Sequence, residues 1–145
     1  MKKVIYHFES DKILKYEGCL KNNLYHGYGN YYDKNGIIIY EGFFFEGKYN
    51  GVGKIYLNEK IIYEGEFRNN LFNGEGTLYH KNGKIKYEGN FKNNEYYGSG
   101  VEYYQNGSLK YIGYFNKNIY NGNGRFFVNN KLVYDGIFIN GNIYY

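Results

Sequence analysis

The triplet Tyr-Glu-Gly begins at Tyr16, Tyr40, Tyr63 and Tyr87, and its phase continues as Tyr111-Ile112-Gly113 and Tyr134-Asp135-Gly136. The intervals are 24, 23, 24, 24 and 23 residues. A repeat this short dictates the architecture, because each unit is one supersecondary element that buries its apolar face only beside its neighbours. Each full unit reads Tyr-Glu-Gly-x-Phe, a turn, an aromatic residue, then Gly-x-Gly. The third shows it plainly: Tyr63-Glu64-Gly65-Glu66-Phe67, Asn69-Asn70, Phe72, Gly74-Glu75-Gly76. The glycine pair recurs at Gly27/Gly29, Gly51/Gly53, Gly98/Gly100 and Gly122/Gly124.

Two kinds of turn alternate between these landmarks. One has Asn or Gly at its second position every time, at Asn23, Gly47, Asn70, Asn94, Asn118 and Gly141. Those residues tolerate the positive φ of a two-residue type I′ hairpin. The other carries Asn35-Gly36, Asn82-Gly83 and Asn106-Gly107, with Asn58-Glu59 and Asn129-Asn130 as weaker versions. Turn signals every 11 to 13 residues leave strands of about 7–10 residues. The expectation is an all-β, up-and-down antiparallel meander of about 13 strands with no helix. In the 23-residue units the missing residue falls beside the second turn, where a three-residue loop or a bulge is expected to keep the faces in phase.

Strict alternation then assigns faces. One face collects Tyr16, Gly18 and Leu20 and, across the Asn22-Asn23 turn, Tyr25, Gly27, Gly29 and Tyr31. Its columns are uniform: Leu14, Ile38, Ile61, Ile85, Leu109, Leu132; Leu20, Phe44, Phe67, Phe91, Phe115, Phe138; Tyr25, Tyr49, Phe72, Tyr96, Tyr120. Tyr16 is expected opposite Gly29, its ring lying over a residue without a side chain. The other face carries Glu17, Glu41, Glu64, Glu88 and Asp135, flanked by Lys15, Lys21, Arg68, Lys86, Lys92 and Lys110, and the column Tyr32, Tyr56, Tyr79, Tyr103, Phe127. Nothing in the sequence encodes a layer to cover the apolar face. A trough lined by rings is therefore expected there, and exposed apolar surface of that extent marks an interaction site.

This pattern resembles the MORN repeat family over nearly the whole chain. Full units are read at 16–39, 40–62, 63–86, 87–110 and 111–133, with half-repeats at 4–15 and 134–145. Leu20 departs from the usual Phe and Ile112 from the usual Glu. The resemblance implies an elongated single-layer solenoid of consecutive hairpins acting as a non-enzymatic scaffold or adaptor. Family members serve cytoskeletal and membrane-associated structures, some binding motor-protein tails, so the implied partner is a protein or peptide. Two alternatives accompany that reading. The family's name proposes direct binding to acidic membrane phospholipids. Self-assembly as a homodimer through open edge strands is the other, with Val4–Phe8 and Ile143–Tyr145 carrying no proline to blunt them. Terminal repeats of a solenoid usually act as caps, so the partner-binding residues are expected in the central units: Tyr40, Phe44, Tyr63, Phe67, Phe72, Tyr87, Phe91 and Tyr96, with Glu41, Glu64 and Glu88.

The remaining features bound the function. The 145 residues include 22 Tyr, 11 Phe and 21 Gly but no Pro or Trp, and the net charge is +4. That charge is too mild to call for nucleic acid, and it lacks the basic cluster that anionic lipid favours. His7, His26 and His80 fall in different units without a repeated acidic or cysteine partner, and no phosphate loop or metal-ligand cluster appears. No catalytic residue, cofactor or metal is expected. Cys19 occupies the variable position of its unit, filled elsewhere by Phe43, Glu66, Asn90, Tyr114 and Ile137, and reads as a neutral thiol. The apolar run at the N-terminus is too short for a signal peptide, no stretch approaches the roughly 20 apolar residues of a membrane span, and one cysteine fits a reducing compartment. A cytoplasmic location, at cytoskeletal or membrane-associated structures, is the expectation.

Overall fold

The computed structural model describes residues 2–7 and 14–145. Phe8 of the first expected edge strand, and residues 9–13 of the leading half-repeat, lie outside them. Thirteen strands follow one another: β1 (Lys2–His7), β2 (Leu14–Lys21), β3 (Leu24–Tyr32), β4 (Ile38–Phe45), β5 (Lys48–Leu57), β6 (Lys60–Arg68), β7 (Leu71–Tyr79), β8 (Ile85–Lys92), β9 (Glu95–Tyr103), β10 (Leu109–Asn116), β11 (Ile119–Val128), β12 (Lys131–Ile139) and β13 (Asn142–Tyr144). They pair in chain order, all antiparallel, in one open sheet, and no helix occurs among the described residues. The chain divides into two compact units, residues 1–71 and 72–145.

The tight turns form as their residues dictate. At 22–23, 46–47, 69–70, 93–94, 117–118 and 140–141 both central residues have positive φ, the type I′ geometry that matches strand twist. The second family of turns differs from expectation. The 23-residue units use two-residue type I′ turns at Asn58-Glu59 and Asn129-Asn130, again with both φ positive. It is the 24-residue units that have the three-residue loop. There Asp33, His80 and Tyr104 accept from the amides of Gly36, Gly83 and Gly107, and their own amides donate to Ile37, Lys84 and Ser108. A type I turn followed by a left-handed glycine produces this pattern, so the extra residue is absorbed in the loop.

Two kinds of bulge that strict alternation misses recur along the chain. Tyr31 pairs with Tyr40, but Tyr32 pairs with Ile38, which leaves Ile39 as an extra residue. The same step recurs at Ile62, Lys86, Lys110 and Val133. Paired residues share a face, so Ile38, Ile61, Ile85, Leu109 and Leu132 stand with Tyr32, Tyr56, Tyr79, Tyr103 and Phe127, not with the core rings. Their partial exposure agrees. The second bulge lies inside the hairpins β2–β3, β4–β5, β8–β9 and β10–β11: Gly42 pairs with Gly53 and Phe44 with Tyr49, so Phe43 faces three residues, 50–52. Gly51 takes a φ of 94° to allow it. This bulge corrects the register by two residues. Gly18 is opposite Gly29, and Tyr16 is opposite Tyr31.

The rings nevertheless cover the glycines. A Cβ built on Gly29 would lie 2.8 Å from Tyr16 Cε2, and one on Gly53 would lie 2.6 Å from Tyr40 Cζ. Tyr16, Tyr40, Tyr63, Tyr87 and Tyr111 have no exposed surface. In the first unit Tyr40 stacks on Tyr49 with centroids 3.7 Å apart and meets the edges of Phe44 and Phe67 at 5.0 and 5.3 Å. In the second, Tyr87 stacks on Tyr96 at 3.7 Å between Phe91 at 5.0 Å and Phe115 at 5.1 Å. Each tyrosine hydroxyl donates three residues on, to the carbonyl of the variable position: Tyr16 to Cys19, Tyr40 to Phe43, Tyr63 to Glu66, Tyr87 to Asn90, Tyr111 to Tyr114 and Tyr134 to Ile137. Only main chain is needed there, which is why any side chain is accepted at that position.

Repeats are also stapled through the tight turns. The Asn70 amide donates to Tyr49 O while Asn70 Oδ1 accepts from Tyr49 N at 2.8 Å; Asn94 does the same with Phe72 and Asn118 with Tyr96. The asparagine side chain thus acts as a short added strand. Asn94→Gly keeps the positive φ but loses the side-chain bond, and should destabilise by about 1 kcal/mol in urea unfolding. Asn94→Ala adds left-handed strain and should cost about a further 1–2 kcal/mol.

Candidate partner-binding face

The side chains left facing solvent define the candidate site. On the face opposite the rings, paired glycines leave a strip of backbone between two banks of side chains, bridged in the first unit where the Tyr28 hydroxyl reaches Glu41. In the first unit Gly42 pairs with Gly53 and Gly53 with Gly65. Tyr28, Phe43 and Val52 form one bank of a groove of about 390 Å³, and Glu41, Lys54 and Glu64 the other. In the second unit Gly76, Gly89, Gly100 and Gly113 pair in succession. They floor a groove of about 720 Å³ whose banks include Asn90, Ser99 and Tyr114 on one side and Glu88, Val101 and Ile112 on the other. The same glycines therefore serve both faces, admitting a ring on one and leaving a channel on the other.

The carboxylates of this face are held by tyrosines. Glu41 accepts from the Tyr28 hydroxyl at 2.6 Å and the Tyr56 hydroxyl at 2.8 Å. These two bonds hold its carboxyl below the usual carboxylate range against the opposing effect of burial. Conversely, the bond to Glu41 and then burial push the Tyr28 hydroxyl up to about 12. Burial and the bond to Glu41 do the same at Tyr56, also to about 12. In the second unit Tyr103 donates to Glu88 Oε1, and burial followed by that bond raises Tyr103 to about 12. Lys54 lies 3.7 Å from Glu64 with both side chains about two-fifths exposed, an ion pair that contributes little in water.

The structure separates the rings from the carboxylates among the residues expected to carry a partner. Tyr40, Tyr63 and Tyr87 have no exposed surface, Phe44, Phe67 and Phe91 have 3% and Tyr96 has 9%; Phe72 is half-buried. These rings are taken up by each other and by the glycines, so the trough expected on their face is filled from within. Glu41, Glu64 and Glu88 are half-buried and line the grooves of the opposite face.

A scan of repeat families matches the MORN repeat at residues 16–38, 40–58, 63–85, 87–109 and 111–131. The chain belongs to the MORN repeat family. Its matched segments cover most of the chain and coincide with the hairpins whose Tyr, Phe and glycine positions build the stack described above. A comparison with curated proteins gives no match. MORN repeats are a non-enzymatic module commonly used for interaction with proteins or membranes, and among the described residues no group of His, Cys, Asp or Glu is placed to hold a metal ion.

Sequence reasoning missed the exposed apolar bank of this MORN chain. Phe43, Val52 and Tyr28 are 48%, 61% and 51% exposed and adjoin one another along the groove. Their signal was available, since they occupy the two variable positions, x in Tyr-Glu-Gly-x-Phe and x in Gly-x-Gly. A second miss is Glu102. It stands on the ring face, paired with Tyr87 and Tyr111, where other repeats carry Tyr31, Ile55, Leu78 and Phe126. It accepts from Lys110 Nζ at 3.0 Å and from the Tyr120 hydroxyl at 2.6 Å. Lys110 was assigned to the opposite face; as the extra residue of its bulge it reaches the ring face instead.

Proposed function

We propose that this MORN chain is a non-enzymatic scaffold that holds a partner polypeptide along the glycine-floored grooves of its carboxylate face. The observation that supports this is the division of labour between the faces. The aromatic face is saturated by its own stacking, while the opposite face presents a strip of backbone between exposed apolar and acidic side chains. An extended segment in such a channel gains contact area from Tyr28, Phe43 and Val52, and specificity from the fixed carboxylates. A hairpin is about 9.6 Å wide, which spans roughly three residues of an extended chain, so a partner would meet a new pair of bank residues at each repeat. The negative banks weigh against acidic phospholipid as the principal ligand.

Affinity capture with the intact chain, repeated with Phe43→Ser and Val52→Ser combined, tests this. Both side chains are exposed, so the melting temperature should stay within a few degrees while a specifically captured partner is lost by tenfold or more, about 1.4 kcal/mol. Retention of that partner by the double variant would remove the groove from the binding surface.

A further inference from the structure

The two grooves differ in charge, and the difference points to what the second one takes. In the first, Lys54 stands on the same bank as Glu41 and Glu64 and pairs with Glu64. No lysine or arginine lines the second among the described residues; the nearest cation of the cross-strand succession is Arg125, paired with Ile112 at the end of the bank away from Glu88. One bank places Glu88, Val101 and Ile112 in cross-strand succession, Glu88 paired with Val101 and Val101 with Ile112. At about 4.8 Å per strand, a carboxylate is followed by two aliphatic side chains within the reach of one long side chain. Ile112 is the position where the other repeats carry an acid, so this succession is peculiar to the fourth and fifth repeats.

We propose that the groove of the second unit seats a lysine or arginine side chain of a partner segment, its stem along Val101 and Ile112 and its cation on Glu88. The inference rests on the scaffold reading and gives that site its ligand chemistry. Long basic side chains lay their methylenes on apolar surface while the charge meets solvent or a partner, and a charge-assisted bond to carboxylate is about twice as strong as a neutral one. Tyr103 orients the carboxylate through Oε1, and a carboxylate retains further acceptor capacity at its other oxygen. The chain already satisfies one of its own lysines in this way: Lys110 sits on Glu102, which a tyrosine hydroxyl also engages, with the Tyr104 and Tyr120 rings about 6 Å from the ammonium.

Fluorescence anisotropy with a labelled peptide alternating lysine and valine, against one with glutamine for every lysine, tests the assignment at near-physiological salt. The lysine peptide should bind at least tenfold more tightly than the glutamine peptide. Glu88→Gln, nearly isosteric, should weaken the lysine peptide about tenfold, Tyr103→Phe should weaken it less, and Glu59→Gln, in the β5–β6 turn and outside the groove lining, should leave it unchanged. Equal loss in Glu88→Gln and Glu59→Gln would reduce the effect to net charge and overturn the assignment. Tight binding of the glutamine peptide, abolished by Tyr114→Ser and indifferent to Glu88→Gln, would also overturn it while leaving the scaffold reading intact.

Discussion

Raising the pH from about 10 to about 12 should unfold the chain in a single steep transition, with tyrosinate absorbance and loss of β-structure rising together. The cause is the stack. Burial raises Tyr16 and Tyr111 from the ordinary 10.0 to about 12, and it holds Tyr40, Tyr63 and Tyr87 higher still. The folded state keeps these protons where the unfolded chain has released them. Their contribution is therefore complete below pH 10 and is lost as the pH rises towards the folded value. Each group removes about 1.4 kcal/mol per pH unit inside that window, so five rings with no exposed surface remove about 7 kcal/mol per unit. That is comparable with the whole stability of an ordinary domain. Urea unfolding measured at intervals from about pH 9 upward gives the slope directly. Tyr87→Phe removes one titrating group and should reduce the slope by about 1.4 kcal/mol per pH unit. A slope in Tyr87→Phe equal to that of the parent chain would show that the buried ring does not couple its proton to folding.

The same stack shows what could be read from the sequence. The period of Tyr-Glu-Gly, the turn residues and the absence of helical patterning are local signals, and the thirteen strands and type I′ turns follow from them. The faces were legible only as far as strict alternation holds. A bulge shifts a column by one residue, and nothing in Ile38-Ile39-Tyr40 marks which isoleucine is extra, since both are apolar. The glycines do carry the distinction, though in a form that composition conceals. A Cβ on Gly98 would meet nothing nearer than 3.7 Å, and Gly98 is there for its φ of 69°. Gly100, two residues on, is there for space. Pairing the strands by strict alternation across the tight turn, without the bulge that a glycine such as Gly98 permits, put the register off by two.

The carboxylates expected to meet a partner line the grooves and the rings expected with them are buried, for a related reason. Tyrosine rather than phenylalanine at the head of each repeat was itself a clue: a hydroxyl there implies a fixed acceptor, and the acceptor proves to be the carbonyl of the variable residue. A ring whose tip is bonded inside its own repeat is structural. The aromatic wealth that made the ring face look like a binding trough is what closes it. The variable positions, freed from side-chain duty in the core, are where Phe43, Val52, Asn90 and Tyr114 face outward.

Gly100→Ala should cost about 4 kcal/mol, lowering the melting temperature by about 10–15 °C, although it adds one methyl group to a strand. The backbone offers no reason for this, because Gly100 is not among the positive-φ glycines. The new Cβ would lie 2.5 Å from Tyr87 Cζ and 2.6 Å from Cε2, closer than carbon atoms approach. Tyr87 has nowhere to withdraw to, since it is stacked on Tyr96, flanked by the edges of Phe91 and Phe115, and bonded to Asn90 O. Overpacking of this kind costs about 1–3 kcal/mol; the displaced hydroxyl bond adds about 1 kcal/mol, and each lost aromatic pair about 0.5–1.5 kcal/mol. Gly83→Ala is the contrasting case. Its Cβ meets nothing within 4 Å, but its φ is 82°, so only left-handed strain of about 1–2 kcal/mol applies. A double-mutant cycle isolates the ring: with Tyr87→Ala in place, Gly100→Ala has no clash to relieve and should be close to neutral, a coupling of several kcal/mol. If the two losses simply add, the glycine is not there to admit the ring.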